Sequence, residues 1–584
     1  MKHAYLFALG LILFATQFSS AQIYVNQLAQ DSIRDGSTWD RGFELLEDAI
    51  EVAMEGDEIW VALGIYSPPL VMIDDGDDTV MTNTYIIDKN IKLYGGFLGF
   101  ETSIDERNTL LNITLLEGDI DGDDKAGSLY ANKEDNSLHL IYVIDGVDTT
   151  TTIDGFYLFR GAALLDEGLS LHSREGGGIY MEGTPTIRNC IFQQCSAVNG
   201  GSLSFEGGTD NNGNGFGHVI IEGCSFDIGG ALDQGGAIYI DDAVSATINT
   251  SRISRNISSS DGTIYLDNIG SVRIANSVIT ENSADAYAGV YASVDLIRFE
   301  RCEFSNNLSD ELGVIQFEDE TDAQFVQTRV INNRSDEIFA GVAGGRSLSI
   351  VNSEISNNTV FDYPEFGQVG FVGASLEIIQ STIGGPVSPT VFMESAGAFR
   401  ISNSIIFSEE DNAFMISGGG SIQSLGGNIC SDESMNGILL QPSDLPNTNP
   451  QFKSSLVGNY KLEAGSPAID ASFGSTITED VIGFPRTAIP DIGAYEFNPV
   501  ATTQTEIPEI TVSVTPTIAT DYIQVESDLI NIQYHIVDMK GRILKVGRLL
   551  NESQSLNVSS YPPGQYQIIF RAREGMTTRS FLKQ

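Results

Sequence analysis

A repeat constrains this chain more than any other feature. The stretches VRIANSVITENSADAY (272–287), IRFERCEFSNNLSDEL (297–312), AQFVQTRVINNRSDEI (323–338) and LSIVNSEISNNTVFDY (348–363) carry one pattern. Its first apolar residue recurs at Ile187, Ile221, Ile248, Ile274, Phe299, Phe325, Ile350, Ile378 and Ile401, in steps of 23 to 34 residues. A second apolar position follows five residues later, from Phe192 to Ile406, and a small residue stands between the two: Cys190, Cys224, Ser251, Ser277, Cys302, Thr328, Ser353, Ser381 and Ser404. A further short alternating run precedes most anchors, as in GGIY (177–180), GAIYI (236–240), GTIYL (262–266) and GVIQF (313–317). Runs this short, alternating and punctuated by Gly, are strands.

A unit of about 25 residues cannot bury its apolar face alone, so neighbours must stack. The leucine-rich pattern is absent, which leaves a parallel β-helix with one coil per repeat. Parallel crossovers favour the right hand. The expected fold is all-β: a right-handed parallel β-helix of about 10–13 coils, with an N-terminal capping helix and a small C-terminal β-sandwich. Three residues beyond the second apolar position stand Asn256, Asn282, Asn307, Asn333 and Asn358. At a turn repeated coil after coil, their amides are expected to form a structural ladder.

The ends of such a rod need covers. Phe43, Leu46, Ala49, Ile50 and Ala53 have helical spacing, with Thr38 as the expected N-cap and Gly56 as the stop. This N-terminal part, together with GDIDGDD (118–124), resembles exported proteins of the pectate-lyase-like right-handed β-helix class. NYKLEAGSPAID (459–470) and DIGAYEF (491–497) resemble the choice-of-anchor Q region that ends such helices. ATDYIQV (519–525), VDMKGRIL (537–544), YPPGQYQIIF (561–570) and the terminal TTRSFLKQ resemble the type A C-terminal sorting domain of the type IX secretion system. That resemblance implies export across the outer membrane through the type IX machinery, then surface attachment or release. The N-terminus has a Lys, an apolar run and small residues near a cut before Gln22, so 1–21 reads as a signal peptide. The expected division is 22–66 cap and first coil, 67–447 β-helix, 448–497 its C-terminal end, 498–506 linker and 507–584 sorting domain. No later segment is apolar for long enough to span a membrane as a helix.

Charge narrows the partners. Acids outnumber bases 79 to 31, a net charge of −48. From Thr505 onward the two are equal, so the excess lies upstream. This disfavours nucleic acid and anionic membranes. It suits an extracellular polysaccharide or surface ligand and, at clustered oxygens, calcium. Five Cys in an exported chain this long make no disulfide framework, although Cys190 and Cys224 occupy adjacent coils.

Candidate sites follow. Asp119, Asp121, Asp123 and Asp124 in EGDIDGDDKAG (117–127) form either a calcium loop or a solvated acidic turn. IDDGDD (73–78) is a weaker version. The insertion GGTDNNGNGFGH (207–218) offers Asp210, Asn211, Asn212, Phe216 and His218 to a ligand, or is simply a longer turn. For an enzyme, the class implies a calcium-dependent polysaccharide lyase or a glycoside hydrolase on acidic glycans. No Lys occurs between Lys133 and Lys453, Arg298 and Arg301 have no motif partners, and Asp241–Asp242 lacks the hydrolase motifs. Two readings stay open: a non-catalytic adhesin-like binder, and such an enzyme. An Asp-lined groove with an Arg would favour the enzyme. A flat ladder of Ser, Thr, Asn and aromatics would favour the binder.

Overall fold

The structure is a computed structural model of the whole chain. It describes residues 20–583 apart from 75–78, 126–127, 165–173, 209–215, 337–340, 361–366, 395–396, 411, 456–457, 499–511, 517, 528–531, 539–542, 550–552 and 573–574. The signal peptide, the second acidic cluster and the linker therefore fall largely or wholly outside the described residues.

The repeat winds into a parallel β-helix. One sheet holds 13 strands, one per coil, from Gly64–Tyr66 to Ile429–Cys430. A narrow third sheet holds eight two-residue strands, from Ala162–Ala163 to Thr359–Val360. The first sheet is broader, with 24 strands, because most coils contribute two in tandem, such as Ile238–Asp241 and Ser245–Asn249. In two coils the pair fuses into the single strands Ile264–Ala275 and Val290–Glu300. At about 4.8 Å per coil, 13 coils make a rod of about 60 Å.

Register explains the repeat. Ile187, Ile221, Ile248, Ile274, Phe299, Phe325, Ile350, Ile378 and Ile401 are successive Cα partners in one inward-facing row. Phe192 to Ile406 form the second such row. All are buried in one continuous core. Where rings fall in the same slot they stack, Phe192 on Phe226 at 4.6 Å and Phe299 on Phe325 at 4.8 Å.

Two polar ladders brace the corners. Asn282 Nδ2 donates to Asn307 Oδ1 at 3.0 Å and Asn307 Nδ2 to Asn333 Oδ1 at 2.9 Å, and each Oδ1 also takes the previous Asn backbone N–H. The series runs from Asn256 to Asn358 and is closed by Gln368, whose Oε1 accepts from Asn358 Nδ2 at 2.7 Å. The small slot carries hydroxyls that accept the preceding coil's N–H: Ser251 N to Ser277 Oγ, Thr328 N to Ser353 Oγ, Ser381 N to Ser404 Oγ. All five cysteines are free and buried, so Cys190 and Cys224 are not bridged.

The N-terminal helix is shorter than its periodicity suggests. It spans Leu46–Val52, with Leu45 at the N-cap. Thr38 instead precedes a 3-10 turn, Trp39–Arg41, and makes no side-chain cap bond. Phe43 is drawn into a parallel bridge with Val25, so its helical spacing is incidental. Leu46, Ala49 and Ile50 still close the first coil, packing with Ile23 and Ile59.

At the other end Met435 and Leu439 plug the core. The chain then folds back along the 13-stranded sheet. Residues 473–480 reach from Asn403 to Asn352 and Gln327, and 485–497 return, so the segment straps four coils. Arg486 pins the two limbs: fully buried against Glu496 at 3.3 Å, it also donates to Asn352 Oδ1 and to the Gly493 and Ala494 carbonyls. Beyond the linker, a three-stranded antiparallel sheet packs on a five-stranded one, with Val514, Ile523, Val525 and Leu556 facing Ile536, Ile568 and Phe570.

Candidate functional site

Alternation along the first sheet sends one residue of each coil outward at a fixed place. In register order that row reads Tyr142, Tyr180, Ser204, Tyr239, Tyr265, Tyr291. The rings stack along the rod: Tyr142 on Tyr180 at 5.5 Å, Tyr239 on Tyr265 at 5.2 Å, Tyr265 on Tyr291 at 4.9 Å, nearly parallel in the last two pairs. Tyr142 and Tyr180 are buried against Val71 and Ile73, and Tyr265 is buried between its neighbours, so Tyr239 and Tyr291 are the part-exposed tyrosines of the row.

Two residues on, a row of carboxylates runs beside the tyrosines. Glu206, Asp241 and Asp267 are direct register partners, with Ser293 next. Tyr239 donates to Asp241 at 3.4 Å, Tyr291 to Glu318 at 3.0 Å, and Tyr142 to Glu182 at 2.9 Å. Burial, then neighbouring acids, hold the hydroxyls of Tyr239, Tyr265 and Tyr291 protonated far above their ordinary range. The carboxylates repel one another: burial first, then Asp242 and Asp267, lift Asp241 to about 6. In the Ser204 gap, Glu175 accepts from the Ser204 hydroxyl at 2.8 Å. Burial, then Glu206, raises it to about 7.

Where the two strand segments of each coil bend, a cleft of about 600 Å³ opens, lined by Val244, Asp267, Asn268, Ser293, Asp295 and Glu320 among others. The insertion expected to carry a ligand site emerges beside it. Gly207 N–H meets the Asp241 carbonyl, and the Gly217 carbonyl accepts from Val244 N. Phe216 is exposed, and His218 Nδ1 lies 2.9 Å from Ser245 Oγ on the next coil. Asp210, Asn211 and Asn212 fall outside the described residues.

The acidic loop lies elsewhere. Beyond it, Leu129 and Tyr130 lie against the outside of the third sheet, where Tyr130 donates to the Ala231 carbonyl. Asp119, Asp123 and Asp124 bring one set of ligand atoms within 4.8 Å of each other, and Asp119, Asp121 and Asp135 a second. Two internal cations enter this cage: Arg160 binds Asp119 and Glu117, and Lys133 binds Asp124. Burial, opposed by Arg160, lifts Glu117 to about 7. Asp124 Oδ1 and Asn136 Oδ1 are buried with no protein partner. An all-oxygen donor set with two unanswered oxygens fits calcium.

The enzyme candidates scatter. Arg298 is held by Glu300 and Gln324, and Arg301 by Gln327. Their coil is five coils beyond that of Arg160, about 24 Å along the rod. Asp241 and Asp242 belong to the carboxylate row. His139 is buried, its ring tilted against Tyr180 at 5.3 Å. The charge-only reading missed Asp135, Arg160 and the tyrosine row. The tyrosines were visible as the repeated Ile-Tyr of GGIY, GAIYI and GTIYL.

Fold and surface together define a β-helical rod with an appended tail. Residues 513–584 match the family described as the secretion system C-terminal sorting domain. The protein is therefore secreted or displayed at the cell surface. No helix among the described residues is long and apolar enough to cross a membrane. The crystal structure of pectate lyase Pel9A is similar at 14% identity and a TM-score of 0.35, covering 82% of this chain and 97% of that one. No curated protein matches the sequence.

Proposed function

We propose that the protein is a non-catalytic, surface-displayed rod that binds glycans or other surfaces, as an adhesin does. The observation that carries this reading is the register of the first sheet. It lines up hydroxyl side chains in one row and mostly acids in the next, with a tyrosine and an acid together on the Tyr180, Tyr239 and Tyr265 coils, beside an open cleft and the insertion at 207–218. A polar strip running along a rigid sheet suits an extended polymer, because neighbouring coils offer related contacts to successive units.

A second reading has one observation in its favour. Arg160 stands beside the Asp119 cluster, the pairing a calcium-dependent lyase on acidic glycans would use. Its guanidinium is already engaged by two carboxylates, however, so it serves first as their counter-ion. Calcium in this loop would be held at the rim by Asp121, Asp123 and Asp135 with Asp119, as a structural clasp. The deciding experiment offers acidic and neutral polysaccharides with and without calcium. Retention on a glycan without unsaturated uronides or new reducing ends supports the binder. Product from any glycan replaces it with the enzyme.

A further inference from the structure

The small slot between the two inward rows changes chemistry along the rod. From Ser251 to Ser404 it holds a hydroxyl on every coil but that of Cys302, whereas the two coils before Ser251 both place a thiol there, Cys190 and Cys224. Register partners on either side, Arg188 with Glu222 and Ile191 with Ser225, set these two directly opposite each other. Adjacent strands lie about 4.8 Å apart, inside the Cα separation of about 4.4–6.8 Å that a disulfide spans. The Cys224 thiol meets both the thiol and the backbone N–H of Cys190. Their other partners are backbone carbonyls at 3.5 to 3.7 Å. A thiol is a weak donor, so little holds the sulfurs apart. None of the other three cysteines faces a thiol: Cys302 stacks between Ser277 and Thr328, Cys195 between Gly161 and Gly229, and Cys430 beside Ile406.

We propose that Cys190 and Cys224 are a redox pair, reduced in this structure and joined by an inter-coil disulfide as the secreted chain folds. Secretion takes the thiols into an oxidising environment, where the oxidant is a disulfide-bearing oxidase. One cysteine thiolate attacks the oxidase disulfide to give a mixed disulfide, and the other thiolate displaces the oxidase sulfur. Two electrons pass to the oxidase, which departs as a dithiol carrying the two protons the cysteines gave up. Burial sets the order of events. In the closed coil both sulfurs are out of contact with solvent, and burial, then Cys190, holds the Cys224 thiol protonated well above its ordinary range. A protonated, buried thiol is inert, so the bond forms before the coil closes and is afterwards out of a reductant's reach. The bridge encloses the longest step of the repeat, the 34 residues that carry the insertion at 207–218. A cross-link restrains the open chain most where the loop it closes is long.

The test is a thiol count on the full chain as cells secrete it, alkylated first in the native state to block exchange and then in urea without reductant. Three thiols per chain are expected instead of five, with the Cys190 and Cys224 peptides recovered linked and separating only on reduction. Cys190→Ser is expected to free Cys224 and raise the count to four, and serine already fills this slot on other coils. A second arm reads the order of events: reduced protein is held folded in a glutathione redox buffer, and the same protein is refolded from urea in that buffer. The linked peptides are expected from the refolded sample alone. Five alkylated thiols in the secreted chain overturn the proposal. So does any pairing other than Cys190 with Cys224, because register would then not select the partners. Equal linkage in the folded and refolded samples overturns closure of the bond before closure of the coil.

Discussion

Replacing Asn307 with Ala isolates the energetics of the asparagine ladder. Asn307 Nδ2 donates to the Ile279 carbonyl at 3.0 Å and to Asn333 Oδ1 at 2.9 Å, and its Oδ1 accepts from Asn282 N and Nδ2 at 3.1 and 3.0 Å. The residue is 1% exposed, so water cannot replace the lost amide. Truncation orphans two buried donors at about 1–2 kcal/mol each, for a total of about 3 kcal/mol. In a stacked array the damage should stay local. Urea unfolding followed by hydrogen exchange is the assay. Amides of Val278–Thr280, Glu303–Ser305 and Arg329–Ile331 should lose protection while the terminal coils keep theirs. Asn307→Asp sharpens the test, because a carboxylate there faces two acceptors and has no amide to donate. Burial raises its folded pKa, so the variant should be weakest above neutrality and recover on acidification. A loss below about 0.5 kcal/mol for Ala, or exchange unchanged in those strands, would refute the ladder as a source of stability.

Three further outcomes are expected. Glu175 has a folded pKa of about 7, above its ordinary 4.5, so the folded state binds its proton more tightly. Its contribution is complete below about pH 4.5 and fades as pH rises through 7, a swing of about 3 kcal/mol. Glu175→Gln should flatten stability between pH 5 and 8, and unchanged pH dependence would count against it. Arg486→Ala leaves Glu496 buried without its cation, at a cost of about 3–5 kcal/mol. Limited proteolysis should then cut within 473–497 before any coil, whereas wild-type resistance would show that the strap needs no such pin. Millimolar calcium should slow exchange in 118–137, and Asp121→Asn should abolish the effect. No slowing would mean that Arg160 and Lys133 already satisfy the loop.

The rod was legible because its inward rows repeat: Ile248 or Phe299 can only be placed as it is by stacking, and Asn282 only by a turn shared with its neighbours. The lid was less legible. Phe43 has the spacing of a helix but is taken by a bridge to Val25, a tertiary choice that local periodicity does not encode. Gln368 closes the asparagine ladder from ten residues beyond Asn358, outside the repeat that identified the others. The same holds for Arg160, which reaches the acidic loop across 41 residues. Tyr239 and Tyr265 were visible in the strand motif, but only the coil-to-coil register turns them into a row.

The returning strap also decides how the rod carries load. The chain leaves it at Phe497 toward the sorting tail, yet it does not leave from the last coil. Between Gln327 and Asn403 its two limbs lie along the rod, hydrogen-bonded to four successive coils and joined through Arg486. Tension from a surface anchor would enter the β-helix through these bonds together, in shear, instead of peeling one coil after another from the end.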